Sequence, residues 1–253
     1  MTPTPSRRSR RLWIAGLILL GIVLIGVLGF IAWANATPPP MPEALAALES
    51  DAEVAVTVDD WLIFAPAGGT PTSGFIFYPG GRVDPASYAP AMRSLAEAGY
   101  LVVVPSMPLN LAVLAPDRAT EIMAAYPDVA RWGIGGHSLG GAMAASYVYG
   151  HPDAMASLIL WAAFPPDNNS LADRSELGVA SIYGTLDGLA TPADIQASAP
   201  LLPAGTAFVP IEGGNHAQFG WYGDQARDNP ATISREEQQR QAVAATLAAL
   251  PPP

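Results

Sequence analysis

Trp132-Gly133-Ile134-Gly135-Gly136-His137-Ser138-Leu139-Gly140-Gly141 reads as a buried strand running into a sharp glycine-rich turn. A helix of small residues, from Ala142 to Ser146, follows. The centre, Gly136-His137-Ser138-Leu139-Gly140, fits the G-x-S-x-G pattern. In that pattern a serine sits on a strained strand-to-helix turn with its hydroxyl exposed above a sheet. The glycines have a physical cause: side chains there would collide with the neighbouring strand and helix, and the turn needs backbone angles most residues avoid. Glycine–serine turns are common, so the pattern needs its context.

Working outward, the same alternation repeats. Val54, Val56 and Val58 alternate with smaller residues, and Trp61-Leu62-Ile63-Phe64 follows Asp59-Asp60, which predicts a pair of strands at a sheet edge. Further apolar runs at 74–78, 100–104, 132–135, 158–162, 179–183 and 207–211 read as strands. Helical patterns lie between them at 85–98, 115–126, 139–149 and 192–198, and a last helix at 235–249 opens with Ser234 and Glu237 in capping-box spacing. Short apolar strands alternating with helices predict an α/β fold, with a mostly parallel central sheet covered by helices on both faces. In such folds ligands gather at the carboxyl ends of the strands.

The first part of the chain is of another kind. Leu12 to Trp33 carries no charge and no proline. As a helix it would reach about 33 Å, enough for a hydrocarbon core of about 30 Å. Arg7, Arg8, Arg10 and Arg11 precede it and the next basic residue is Arg82, so the N-terminus is expected inside and the rest translocated. The expected organisation is a basic tail (1–11), a transmembrane anchor or signal sequence (12–34), a proline-rich linker (35–50) and a folded domain (51–250). Ala34-Asn35-Ala36 has the form of a signal-cleavage site, which leaves a secreted form as the alternative, although the apolar run is longer than usual for a signal peptide. Arg10-Arg11 before the apolar run also fits a weak twin-arginine pattern.

Composition removes several function classes. The chain has 12 Lys plus Arg and 22 Asp plus Glu, and all the basic residues are arginine. Past residue 11 the balance is more acidic still, which argues against nucleic acid as a partner. Without cysteine there is no disulfide, thiolate zinc site or cysteine nucleophile. No metal or organic cofactor is expected.

A serine nucleophile needs a base, and the base needs an acid to fix its tautomer. Of three histidines, His137 adjoins Ser138 and reads as a structural residue of the turn, and His151 follows the helix at the wrong end of the sheet. His216, in Glu212-Gly213-Gly214-Asn215-His216 after the last strand, is the remaining base. Asp187, in Gly184-Thr185-Leu186-Asp187-Gly188, is the best-placed acid; Asp167 and Asp194 are expected to face solvent. The N–H groups of Leu139 and Gly81 are the expected oxyanion donors, since Pro79 has none and glycines let a backbone reach a substrate. An ordinary turn would also explain Gly80-Gly81. Arg82 is a candidate for the mouth of the site or for an ion pair with Asp84. Phe219, Trp221 and Tyr222 are candidates to pack over the imidazole or the acyl group, with core packing as the alternative.

Four motifs in order, YPGG (78–81), GHSLGG (136–141), YGTLDG (183–188) and GGNHAQFG (213–220), resemble those of the α/β-hydrolases. They are similar to the compact "family 5" group with its dienelactone-hydrolase-like and esterase-like members. The resemblance implies Ser138 as nucleophile, Asp187 as acid and His216 as base, in the chain order of that fold. It implies a serine hydrolase acting on an ester-type acyl bond, with amide, thioester or peptide bonds as alternatives and a non-catalytic binding module as another. Two features depart from the group: Pro79 stands where many relatives carry histidine, and the cysteine nucleophile of dienelactone hydrolases is absent. Only about fifteen residues separate the strands at 158–162 and 179–183, too few for a helical lid, so an open site is expected for a small or externally presented acyl substrate.

Overall fold

The short apolar runs become eight strands, and the central ones, Ser73–Tyr78, Leu101–Pro105, Arg131–His137, Ser157–Trp161 and Gly178–Gly184, are buried on both faces. The computed structural model describes residues 7–253; the first six residues of the expected basic tail lie outside the described residues. Helix α1 (Arg7–Asn35) is the apolar N-terminal helix, and its Trp13–Asn35 portion is long and apolar enough to cross a bilayer. The unit from Thr37 to Pro253 is compact in itself.

In that unit the chain runs α2 (Pro42–Ala46), β1 (Val54–Val58), β2 (Trp61–Pro66), β3 (Ser73–Tyr78), α3 (Ala89–Glu97), β4 (Leu101–Pro105) and α4 (Arg118–Ala125). It continues through β5 (Arg131–His137), α5 (Leu139–Gly150), β6 (Ser157–Trp161), β7 (Gly178–Gly184), α6 (Pro192–Ala197), β8 (Ala207–Ile211) and α7 (Arg235–Ala249). The strands form one sheet in the order β1-β2-β4-β3-β5-β6-β7-β8. The pairs β1–β2 and β2–β4 are antiparallel and every later pair is parallel. β1 is the edge strand the sequence predicts.

Alternation along each strand divides the core in two. Phe75, Phe77, Val102, Val104, Ile159 and Trp161 face one layer, together with Met92 and Leu95 of α3 and Ala242 of α7. Ile76, Tyr78, Leu101, Val103, Leu158 and Leu160 face the other, with Ile122 of α4 and Tyr147 and Val148 of α5. Each fully buried large side chain contributes roughly 1.5–3 kcal/mol. Phe77 is wedged between Tyr88 and Trp161, with ring centroids 4.9 Å away in both cases.

Three local expectations are corrected. The linker ends sooner than residue 50: Met41 N–H donates to the Trp221 carbonyl at 2.8 Å, Ala44 is fully buried, and Arg93 holds the Ala47 and Glu49 carbonyls and Asp51. The helix expected over 85–98 begins as a 3₁₀ turn, Pro85–Tyr88, with Asp84 capping Ala86 N–H. At α7, Ser234 accepts from Glu237 N–H, but the Glu237 carboxylate turns to Arg240 and Gln241 and does not return to the cap. The reciprocal capping box is at α6, between Thr191 and Asp194.

β3 lies beside β5, and the chain leaves β3 towards β4 but leaves β5 towards β6, in opposite directions along the sheet. The carboxyl ends of β3 and β5 therefore flank a crevice.

Candidate active site

The turn at the end of β5 is strained as the sequence requires. Ser138 sits at φ 52°, ψ −122°, a conformation a side-chain-bearing residue adopts at a cost of roughly 1–3 kcal/mol. Its N–H donates to the Trp161 carbonyl on β6 at 2.9 Å, and its carbonyl accepts from Ala142 N–H in the first turn of α5. The helix can approach β3 this closely only because residue 140 is glycine: a Cβ there would lie 2.1 Å from the Tyr78 carbonyl oxygen.

The loops after β7 and β8 bring Asp187 and His216 together. Nδ1 of His216 lies 2.8 Å from Oδ2 of Asp187, and both side chains are essentially inaccessible. The other carboxylate oxygen of Asp187 accepts from Leu189 N–H and Ala190 N–H, each at 2.8 Å. Three donors thus hold the carboxylate in one orientation. A carboxylate oxygen accepts, so Nδ1 of His216 is the donor of that bond and Nε2 is the ring nitrogen left for another partner.

Ser138 and His216 line one cavity of about 300 Å³. The rest of its wall is apolar: Leu139 and Ala142 from the elbow, Ala162, Ala163 and Phe164 beyond β6, and Leu189 and Ala190 from the acid loop. Between β6 and β7 the described chain forms turns and no helix. Leu139 opens α5, where helix geometry leaves the N–H without an internal acceptor. Gly81 lies against it, since a Cβ on Gly81 would be 3.1 Å from Leu139 Cδ2. Among the described residues no group of three or more His, Cys, Asp or Glu stands together as a metal cage.

Some expected residues are elsewhere. Phe219 is fully buried, 5.7 Å from both the His137 and Trp161 rings, and does not wall the cavity. Trp221 is buried under the Arg235 guanidinium, 5.9 Å from its ring, while Arg235 binds the Ala217, Gly220 and Gly223 carbonyls. Both aromatics follow His216 in sequence, but the 3₁₀ turn at Ala217–Phe219 directs them into the core. Tyr222 is buried as well, and Arg82, at φ 58°, gives its backbone N–H to the Asn110 carbonyl and does not line the cavity. Asp194 is taken up by its capping box and Asp167 is exposed. His151 stacks on Tyr147 after α5, with ring centroids 4.2 Å apart.

Other polar residues around the site had no sequence signal of their own. Asp228 accepts from Gly188 N–H and Ala217 N–H, the residues after Asp187 and His216, and so ties the acid loop to the base loop. Gln238 of α7 grips both backbone groups of Asn215, at 2.9 and 2.7 Å. Only contact across 11 to 40 residues of sequence gives these side chains a function.

A family model described as "Alpha/beta hydrolase family" matches residues 74–240. No curated protein matches the chain. Among solved structures, a predicted CIB-like hydrolase from Thermoplasma acidophilum is 18% identical with a TM-score of 0.56, covering 76% of this chain and 97% of its own. The esterase domain of a Rhodothermus marinus protein is 13% identical with a TM-score of 0.55, covering 75% and 91%. A bacterial membrane phospholipase A is 17% identical with a TM-score of 0.55, and that match covers 94% of this chain and 99% of the phospholipase. At these identities the likeness is one of fold.

Proposed function

The chain belongs to the alpha/beta hydrolase family and is a hydrolase, and from that premise we propose that it cleaves ester-type acyl bonds through Ser138, His216 and Asp187. The observation that carries the reading is a single one. Ser138 and His216 share an apolar cavity, while the far nitrogen of His216 is held by a buried, fully hydrogen-bonded carboxylate.

The chemistry follows from that arrangement. Ser138 Oγ attacks the ester carbonyl carbon as His216 Nε2 takes its proton, and Asp187 stabilises the imidazolium. The carbonyl oxygen becomes an oxyanion that accepts from the N–H groups of Gly81 and Leu139. The tetrahedral adduct collapses to an acyl-serine, and the alcohol leaves with the proton from His216. Water then repeats the sequence and frees the acid. The small apolar cavity suits an uncharged acyl group, and the turns between β6 and β7 leave access to it open. We further propose that α1 is retained as a single-span anchor with the hydrolase domain on the extracytoplasmic side. The support is the arginine cluster before the apolar run and the absence of basic residues from 12 to 81.

A fluorophosphonate probe tests the nucleophile directly. It is expected to label the wild type and not Ser138→Ala, with ester hydrolysis falling by roughly 10⁴-fold or more in the variant. Equal labelling of the two overturns the assignment. A matched set of esters, amides and thioesters, including a phospholipid, tests the bond, and a preference for amides over esters overturns the ester reading.

A further inference from the structure

One buried histidine takes no part in the proposed chemistry. His137, the last residue of β5, lies directly before Ser138, with its ring centroid 4.5 Å from that of His216. Its Nδ1 is 2.9 Å from the hydroxyl of Tyr88, a fully buried tyrosine in the 3₁₀ turn after the YPGG loop. The same hydroxyl accepts from Gly80 N–H at 3.0 Å. Gly80 and Tyr88, eight residues apart, and His137, 49 residues beyond Tyr88, meet at one oxygen.

Donor chemistry fixes the direction of the first of these bonds. A backbone N–H can only donate, so Tyr88 Oη accepts from Gly80 and has its own proton to give. Where it gives that proton to His137 Nδ1, the imidazole is the neutral Nε2–H tautomer, the arrangement in which the hydroxyl is used as both acceptor and donor. Burial, and then the neighbouring His216, hold the His137 pKa well below its ordinary value, consistent with a neutral ring.

The geometry also fixes the peptide that follows. Gly80 O accepts from Val83 N–H at 3.1 Å. Gly80 C=O and Gly81 N–H belong to one planar trans peptide and point in opposite directions. With Gly80 N–H held by Tyr88, Gly80 O by Val83 and Arg82 N–H by Asn110 O at 2.8 Å, the Gly81 N–H has one direction left. A Cβ at residue 80 would lie 2.8 Å from His137 Nδ1 and 2.9 Å from Tyr88 Oη, so the strut also requires glycine there.

We infer that Tyr88 and His137 are positioning residues that form a strut between the nucleophile's strand and the oxyanion loop, setting the Gly81 N–H against the Leu139 N–H. The inference rests on the proposed serine-hydrolase reading for its catalytic consequence, although the strut itself does not. Ser138 is covalently joined to His137 at one end, and at the other Tyr88 holds the N–H of Gly80, the residue before Gly81, so the strut sets the spacing of nucleophile and oxyanion donor. Strain at Ser138 makes such bracing necessary, because an elbow at positive φ relaxes wherever it is not held.

The variant that separates the strut from the triad is Tyr88→Phe, which deletes one oxygen and keeps the ring. In the full chain, kcat for a short-chain ester is expected to fall by about 10- to 100-fold with KM within about twofold, since misplaced oxyanion donors affect the transition state above all. Inhibition by a trifluoromethyl ketone, which adds Ser138 Oγ to its carbonyl carbon and places an oxyanion in the hole, should weaken by the same factor. The pH midpoint of kcat/KM should stay in place, because His216 and Asp187 are untouched. His137→Asn, whose carbonyl oxygen can take the place of Nδ1 as acceptor, should retain more activity than His137→Leu. Two readouts need no activity: ¹⁵N NMR should find Nδ1 of His137 unprotonated, and Gly80 amide exchange should accelerate at least tenfold in Tyr88→Phe. A protonated Nδ1, unchanged Gly80 exchange, or a loss of kcat without loss of ketone affinity overturns the strut. A wild type that neither labels with fluorophosphonate nor cleaves esters overturns the hydrolytic reading instead, and the NMR pair still decides on the strut.

Discussion

His137 shows how one residue can carry both a fold requirement and a pH dependence. In the fold its imidazole is fully buried beside Tyr88, His216, Phe219 and Tyr222 and is held neutral far below its ordinary pKa of 6.5. Unfolded, it takes up a proton near that value. Below pH about 6.5 the unfolded chain therefore binds more protons than the native one, and stability falls as the pH drops towards the depressed native value. Above about pH 6.5 the term vanishes. The denaturation midpoint of the wild type should accordingly fall further between pH 7 and pH 5 than that of His137→Asn, measured by circular dichroism. Equal slopes would show that His137 does not set the acid sensitivity. The sequence marks His137 only as the residue inside G-x-S-x-G; its partner Tyr88 is 49 residues away, and no local pattern joins them.

At the scale of elements, the loop carrying His216 owes its shape to α7. Gln238 is fully buried, with Oε1 accepting from Asn215 N–H and Nε2 donating to Asn215 O. Replacement by leucine leaves both backbone groups buried without partners, at about 1–3 kcal/mol each. Gln238→Leu is expected to lower the thermal midpoint and, because His216 follows Asn215, to lower kcat more than it raises KM. An unchanged kcat in folded protein would show that the base loop holds its shape without α7. The helix itself was legible from its length and from Ser234 at its cap. The role of Gln238 was not, because a glutamine in the polar run Arg235-Glu236-Glu237-Gln238-Gln239 reads as solvated surface until the face it presents is known.

For the molecule as a whole, two parts were legible for different reasons. The apolar run Leu12–Trp33 is recognisable as long enough to cross a bilayer, as an anchor or a signal sequence, because hydrocarbon thickness sets a length that any sequence can be measured against. The membrane-extracted protein should accordingly show the full-length mass. Loss of the first thirty-six residues would overturn the anchor and support a secreted form. The sheet was legible because both faces are buried, so that each central strand appears as a continuous apolar run. Asp228 binds the folded domain together near the site by holding the loops after β7 and β8 at once.

The sequence by itself determined the eight strands, the strand-to-helix turn at Ser138, and the loops that carry Gly81, Asp187 and His216. Those features follow from short-range physics: periodicity of apolar residues, glycine where side chains collide, and strand ends where loops begin. Tertiary structure alone decided that Phe219 and Trp221 turn into the core, that the linker is pinned from Met41, and that Tyr88, His137, Asp228 and Gln238 brace the site. A buried polar group must find its partner wherever the fold brings one, and that distance is not written in local sequence.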